Sequence, residues 1–170
     1  RFEPWYLAKL DRVVTQANAR GVKPFFTVFG TPCWASTAPE TLKQNCSGEW
    51  WNRGVQTYAP ASAAAYGKAM AFLAGRYSGR VAGWELWNEP NHNDFYKAAD
   101  QAASYAQLVK VAYPMIKAAD PSAVVVAGSV SLADVAFVDR LFAAGLAGSF
   151  DKFSIHPYSH NRSPLEAGPE

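Results

Sequence analysis

Trp84-Glu85-Leu86-Trp87-Asn88-Glu89-Pro90-Asn91 is the stretch on which the fold of this chain turns. A run of mainly large apolar residues over 81–87 passes straight into a polar triplet, Asn-Glu-Pro. Short continuous apolar runs suit strands buried on both faces, as in a parallel sheet. In a barrel of βα units the C-terminal strand ends carry the groups that project into the mouth. A glutamate there, flanked by Trp87 and the rigid Pro90, is partly withdrawn from water, a setting that suits a general acid. Asn88 offers a donor and an acceptor to a substrate hydroxyl. The tripeptide alone also fits a strand-end turn in which Asn88 caps the chain and Glu89 is a solvated surface acid.

Working outward, residues 4–20 place Leu7, Leu10, Val13, Val14 and Ala17 at helical spacing, with Pro4 suited to the first turn and Gly21 to the stop. The β-rich run over 23–29 reads as a strand. Residues 30–61 read as a long Pro/Gly/Ser/Asn-rich loop, and structureless loops of that length are usually functional. Tyr66, Met70, Leu73 and Tyr77 mark a second helix. After the 81–87 strand, a helix is predicted over 101–119 with a kink at Pro114. A strand over 123–128, a helix over 135–144 and a strand over 152–156 follow. Strictly alternating elements argue for a parallel sheet with helical crossovers. Two architectures fit that order. One is a doubly wound sheet that four or five strands would complete. The other is an eight-stranded barrel, which at this unit length needs well over the ~250 residues typical of that fold.

The chain has 170 residues, so it is one domain or part of one. Apolar residues make up 49% and charged residues 18%, which excludes a disordered tail or a coiled coil. Sixteen Lys plus Arg against fourteen Asp plus Glu give +2, without basic runs, so neither nucleic acid nor a membrane surface is an expected partner. No run approaches the ~18 apolar residues of a membrane span. The opening residues do not read as a signal peptide, so the true start is expected upstream. Aromatics reach 14%, with six Trp, and aromatic faces suit sugars as well as cores. Gly-x-Ser-x-Gly, paired Cys-x-x-Cys and Gly-x-Gly-x-x-Gly are absent, which leaves nucleophile-elbow, redox and nucleotide chemistry without support, and no cofactor is expected. Cys33 and Cys46 lie in one loop without metal-ligand spacing. They are read as a disulfide, the alternative being two unrelated thiols. His156 and His160 are four apart, but Pro157 speaks against a helix that would aim both at a metal, and no metal site is expected. Two N-x-S sequons start at Asn45 and Asn161.

Trp87-Asn88-Glu89-Pro90-Asn91 resembles the fourth-strand motif of the clan of retaining glycoside hydrolases built on (β/α)8 barrels. That clan includes the family 5 cellulases and mannanases and the family 39 xylosidases and iduronidases. Thr31-Pro32-Cys33-Trp34-Ala35-Ser36 is similar to the third-strand loop of family 39-like members, and Ser154-Ile155-His156-Pro157-Tyr158 to their sixth-strand end. Tyr113-Pro114-Met115-Ile116-Lys117-Ala118-Ala119-Asp120-Pro121 is similar to their run between the fourth helix and the fifth strand. The resemblance covers nearly the whole chain. It implies an α/β fold, the central part of a TIM (β/α)8 barrel with strands three to six present, and residues 1–170 as a partial catalytic barrel.

The resemblance also implies roles. Glu89 matches the catalytic acid/base and Asn88 the ligand of the sugar 2-hydroxyl. His156 and Tyr158 match positions that orient substrate or the second carboxylate, though His156 could equally be a satisfied core histidine. Trp34 is a candidate sugar platform, its alternative being ordinary loop packing. Glu85 is expected on the same side of the strand as Glu89, as a paired supporting group. The implied substrate is an oligo- or polysaccharide. A retaining mechanism needs a second carboxyl roughly 5 Å from the first, and the clan carries it on a seventh strand that is missing here. Glu166 and Glu170 are the only carboxylates after the last strand. The 170-residue piece alone is therefore expected to be inactive and, with two open strand edges, prone to associate. A degenerate barrel that binds carbohydrate without cleaving it is the main rival. A disulfide joined to glycan chemistry makes secretion the expected location.

Overall fold

The structure is a computed structural model that describes residues 2–44, 46 and 50–158, and only the backbone of Trp50. Both sequon asparagines, His160, Glu166 and Glu170 lie outside the described residues.

Helix α1, Pro4–Asn18, begins on a proline, whose fixed φ and missing N–H suit the first turn. Gly21 stops it in a left-handed conformation at φ 73°. Strand β1 spans Phe25–Val28. A single turn, α2, occupies Glu40–Lys43. Helix α3 covers Ala63–Arg76 and starts where the Ser62 side chain accepts the Ala65 N–H. Strand β2, Gly83–Leu86, leads to helix α4, Gln101–Ala119, capped in the same way by Asp100. Strand β3 spans Val125–Ser131, helix α5 Val135–Ala143 and strand β4 Lys152–His156.

All strand pairs are parallel and the order is β1-β2-β3-β4, each strand beside its neighbour in sequence. Every residue of β2 and β3 is buried. The core lies between sheet and helices, where Tyr77, Trp84, Trp87, Tyr105 and Leu141 are nearly or fully enclosed. Gly67 lets α3 and α4 approach closely. A Cβ there would lie 2.7 Å from the Met115 sulfur and 3.2 Å from the Ala112 Cα.

The helices also fasten the strand ends. Tyr66 of α3 donates its hydroxyl to the carbonyl of Val28, the last residue of β1, at 2.8 Å. Tyr105 of α4 donates to the carbonyl of Leu86, the last residue of β2, at 2.7 Å. Burial pushes both phenols up, so each keeps the proton it donates.

The structure departs from the sequence reading at three places. Residues 30–61 are not structureless: short 3-10 turns at Cys33–Ala35, Trp50–Arg53 and Val55–Thr57 accompany α2. Long-range backbone bonds hold them, such as Thr31 N–H to Gln56 O and Ala59 N–H to Lys97 O. Strand β3 continues past Gly128 to Ser131. Val13, expected on the buried face of α1, is half exposed, and Val14 is that helix's one buried residue.

Candidate active site

Strand β2 ends at Leu86, and the next residues turn sharply. Trp87 has φ 75° and Glu89 φ 44°, both in the left-handed region that side chains rarely enter. Such strain persists where surrounding contacts over-determine it. The Trp87 indole is fully buried, and its N–H donates to Phe95 O at 2.9 Å. Its backbone N–H donates to Val28 O at 3.0 Å. The backbone leaves the extended form at Trp87, yet Glu85 and Glu89 share a side as expected: Glu85 meets Ser154 and Glu89 meets His156, which alternate onto one face of β4. Glu85 is buried within the sheet. Its two carboxyl oxygens accept the Thr27 and Ser154 hydroxyls, each at 2.6 Å.

Strand β3 supplies the seat for Glu89. Its register with β4 shifts between Ala127 and Val130, a bulge. Gly128 has φ 105° and Ser129 φ 49°. Glycine is required at 128, since a Cβ would meet Ser154 O at 2.3 Å. The two N–H groups that the bulge withdraws from the ladder find hydroxyls instead. Gly128 N–H donates to Tyr105 Oη at 3.0 Å from the helix side. Ser129 N–H donates to Ser154 Oγ at 2.8 Å from the other face. Ser129 then grips the turn after β2. Its carbonyl accepts Glu89 N–H at 3.1 Å, and its hydroxyl donates to Trp87 O at 3.2 Å. Asn91 extends the junction as a backbone mimic, accepting Ser131 N–H and donating to Ser131 O, both at 3.0 Å.

Glu89, 7% exposed, places Oε1 at 2.9 Å from Nδ1 of His156 at the end of β4. The Tyr158 hydroxyl stands 3.4 Å from that same nitrogen. Partial desolvation raises the Tyr158 phenol above its ordinary value, and the nearby Glu89 carboxylate adds to the shift. Glu89, His156 and Tyr158 thus meet at one point. Asn88, the residue before Glu89, is partly exposed, and its amide makes no hydrogen bond among the described residues. Within the same residues, no second carboxylate joins this cluster through a hydrogen bond or an ion pair.

Trp34 stands apart from the other four. It is 72% exposed and lines a groove of about 900 Å³ between the end of β1 and α3, whose wall includes neither Glu89 nor His156. The Cys33–Cys46 disulfide closes the loop that carries it, with the two Cα atoms 5.6 Å apart. Two features escaped the sequence reading. The Gly128–Ser129 bulge had one visible trace, a glycine followed by serine inside an apolar strand. The pairing of Asn91 with Ser131, forty positions away, had none.

The family model for cellulase, glycosyl hydrolase family 5, matches residues 2–163. No curated protein sequence matches. Among solved structures, a family 39 glycoside hydrolase from the gut symbiont Bacteroides cellulosilyticus WH2 is similar at TM-score 0.70 and 24% identity, over 99% of this chain and 32% of that one. A monomeric beta-xylosidase from Caulobacter crescentus CB15 is similar at TM-score 0.63 and 26% identity, over 88% of this chain and 30% of that one. The family 39 enzyme of Xanthomonas axonopodis pv. citri gives 0.62 and 26%, over 88% and 29%. The chain therefore spans about a third of the length of these proteins. Its four-stranded parallel α/β sheet is the expected central part of a (β/α)8 barrel.

Proposed function

The chain belongs to the cellulase family, glycosyl hydrolase family 5, and from that premise we propose that it carries the acid/base half of a retaining glycosidase site. The observation that carries this reading is the enclosed Glu89 carboxyl, held at 2.9 Å by His156 beside the unengaged amide of Asn88. In the first step Glu89 protonates the leaving glycosidic oxygen while a second carboxylate attacks the anomeric carbon. In the second step the Glu89 carboxylate takes a proton from the attacking water, and the sugar leaves with its original configuration. His156 fixes the direction of the Glu89 carboxyl, and Asn88 binds the 2-hydroxyl, a contact that strengthens in the transition state. The nucleophile stands outside the described residues, roughly 5 Å from Glu89. The substrate is an oligo- or polysaccharide, and the Cys33–Cys46 disulfide fits an enzyme working in an oxidising, extracellular setting.

The test compares the 170-residue chain with a longer enzyme that contains it, using aryl glycosides and oligosaccharides. The longer enzyme is expected to release a first product of retained anomeric configuration by NMR, and the short chain to release none. Inverted product, or turnover that survives Glu89→Gln unchanged, overturns the reading. The isolation of Glu89 from other carboxylates among the described residues favours one second reading, a barrel that binds carbohydrate without cleaving it. Oligosaccharide binding without turnover by the longer protein would establish that instead.

A further inference from the structure

We propose that Glu85 is a positioning residue for Glu89, acting through Ser154 and the β3 bulge. This rests on the reading of Glu89 as the acid/base. Glu85 is a buried carboxyl that the mechanism leaves unused, 5% exposed, with each oxygen accepting one short hydroxyl bond. The bond from Ser154 spends that hydroxyl's only proton on Glu85 Oε1. The lone pairs of Ser154 Oγ are thereby turned to the one N–H within reach, that of Ser129 at 2.8 Å. Ser129 is held left-handed at φ 49°, and its carbonyl receives Glu89 N–H at 3.1 Å. A single chain of hydrogen bonds thus runs from the Glu85 carboxyl to the Glu89 backbone, crossing β2, β4 and β3. Without Glu85, the Ser154 hydroxyl is free to turn its proton to Ala127 O, already 3.4 Å away, and nothing dictates its orientation toward Ser129. The strained backbone at Ser129 and Glu89 then relaxes, and the Glu89 carboxyl shifts away from His156.

The experiment reads hydrogen bonds in the 170-residue chain and so does not depend on turnover. Ser154→Ala, Glu85→Ala and the double variant are compared with the parent by 15N NMR of the His156 ring and by hydrogen exchange at the Glu89 amide. Each single variant is expected to move the His156 Nδ1 resonance toward its free position and to speed Glu89 exchange about tenfold, the loss of one hydrogen bond. The double variant is expected to do no more than either single one, because both act along one path. Ser104→Ala, which removes a hydroxyl bonded to Tyr96 outside this chain of bonds, is expected to leave His156 unmoved. An unmoved His156 signal in folded Ser154→Ala overturns the proposal, as does additivity in the double variant or an equal shift in Ser104→Ala. If Glu85→Ala fails to fold, Ser154→Ala, which deletes one oxygen, decides the matter. A longer enzyme that lacks hydrolysis while these shifts appear would sink the glycosidase reading alone. Active enzyme with unchanged shifts would sink this one alone.

Discussion

Glu89 and His156 touch at 2.9 Å across a separation of 67 residues, so the end of β2 meets the end of β4 over the intervening β3. The contact needs both the left-handed turn after β2 and the bulge in β3. In a longer enzyme that turns over substrate, Glu89→Gln is expected to lower kcat by about 10²–10⁴-fold on substrates with poor leaving groups, the usual worth of general acid catalysis. The loss should shrink as the leaving group becomes more acidic, since such groups need less protonation. A loss that is the same for all leaving groups would contradict a proton-donating role.

Gly128→Ala forces a Cβ against Ser154 O at 2.3 Å and places a side chain at φ 105°. Strain of this kind costs on the order of 3 kcal/mol, more than an ordinary surface change. Urea unfolding should show the loss as a lower midpoint. A midpoint equal to the parent's would mean that the bulge is not held as described.

The two strand-end tyrosines should differ in worth. Tyr66→Phe removes one hydrogen bond, to Val28 O. Tyr105→Phe removes two, leaving both Leu86 O and Gly128 N–H without that partner in the core. The expected losses are about 1 kcal/mol for Tyr66→Phe and about 2–3 kcal/mol for Tyr105→Phe. Equal losses would show that Gly128 finds another partner.

Asp151 predicts an acid-sensitive contribution. Burial alone would raise its carboxyl, but the Val125 N–H at 2.8 Å, Lys117 and Tyr113 outweigh it and hold the group below its ordinary value. A carboxyl lowered in the folded state stabilises above its unfolded pKa, near 3.9, and loses that contribution as pH falls through the lower folded value. Thermal melts of Asp151→Asn should therefore lie below the parent at pH 6 and approach it toward pH 2–3. A constant gap across that window would remove Asp151 from the acid response.

The Cys33–Cys46 bridge ties residues 13 apart in sequence. The chain-entropy estimate for a loop of that size is about 3 kcal/mol. Reduction, or the paired change to serine, should lower the melting temperature by that equivalent and loosen the turns around Ala38 and Val55, whose small cluster includes Cys33. An unchanged melting temperature would make the bridge incidental.

The parallel order was readable because each strand is a short apolar run and each helix has one apolar face; Tyr66, Met70, Leu73 and Tyr77 sit where their spacing says. The enclosed position of Glu89 just after a strand end was readable because its neighbours are Trp87 and Pro90. The bulge was not, because glycine in Val125–Ser131 reads as a strand stop. The strand continues only because Tyr105 and Ser154, distant in sequence, supply the missing acceptors. Glu85 and Glu89 do face the same side, toward Ser154 and His156, but alternation alone does not explain it, because Trp87 leaves the extended form between them. Trp34 carried no signal of where its loop would lie.

The tyrosine bonds at the ends of β1 and β2 close connections of very different reach. Val28 and Tyr66 are 38 positions apart, Leu86 and Tyr105 only 19. In both, the strand's final carbonyl meets the first turns of the next helix, so the intervening residues form a closed excursion with fixed ends. Enlarging such an excursion adds closure entropy only slowly, while its endpoints stay pinned by the same hydroxyl. Under the proposed function, the parts of these segments that would choose among carbohydrates can be exchanged, lengthened or trimmed so long as Asn91 and Phe95 stay to hold the Glu89 turn. For an engineer, the graft points are already marked: just after Val28 and just before Tyr66, or between Tyr96 and Asp100, which spares the Asn91 and Phe95 contacts that hold the Glu89 turn and the Asp100 cap of α4.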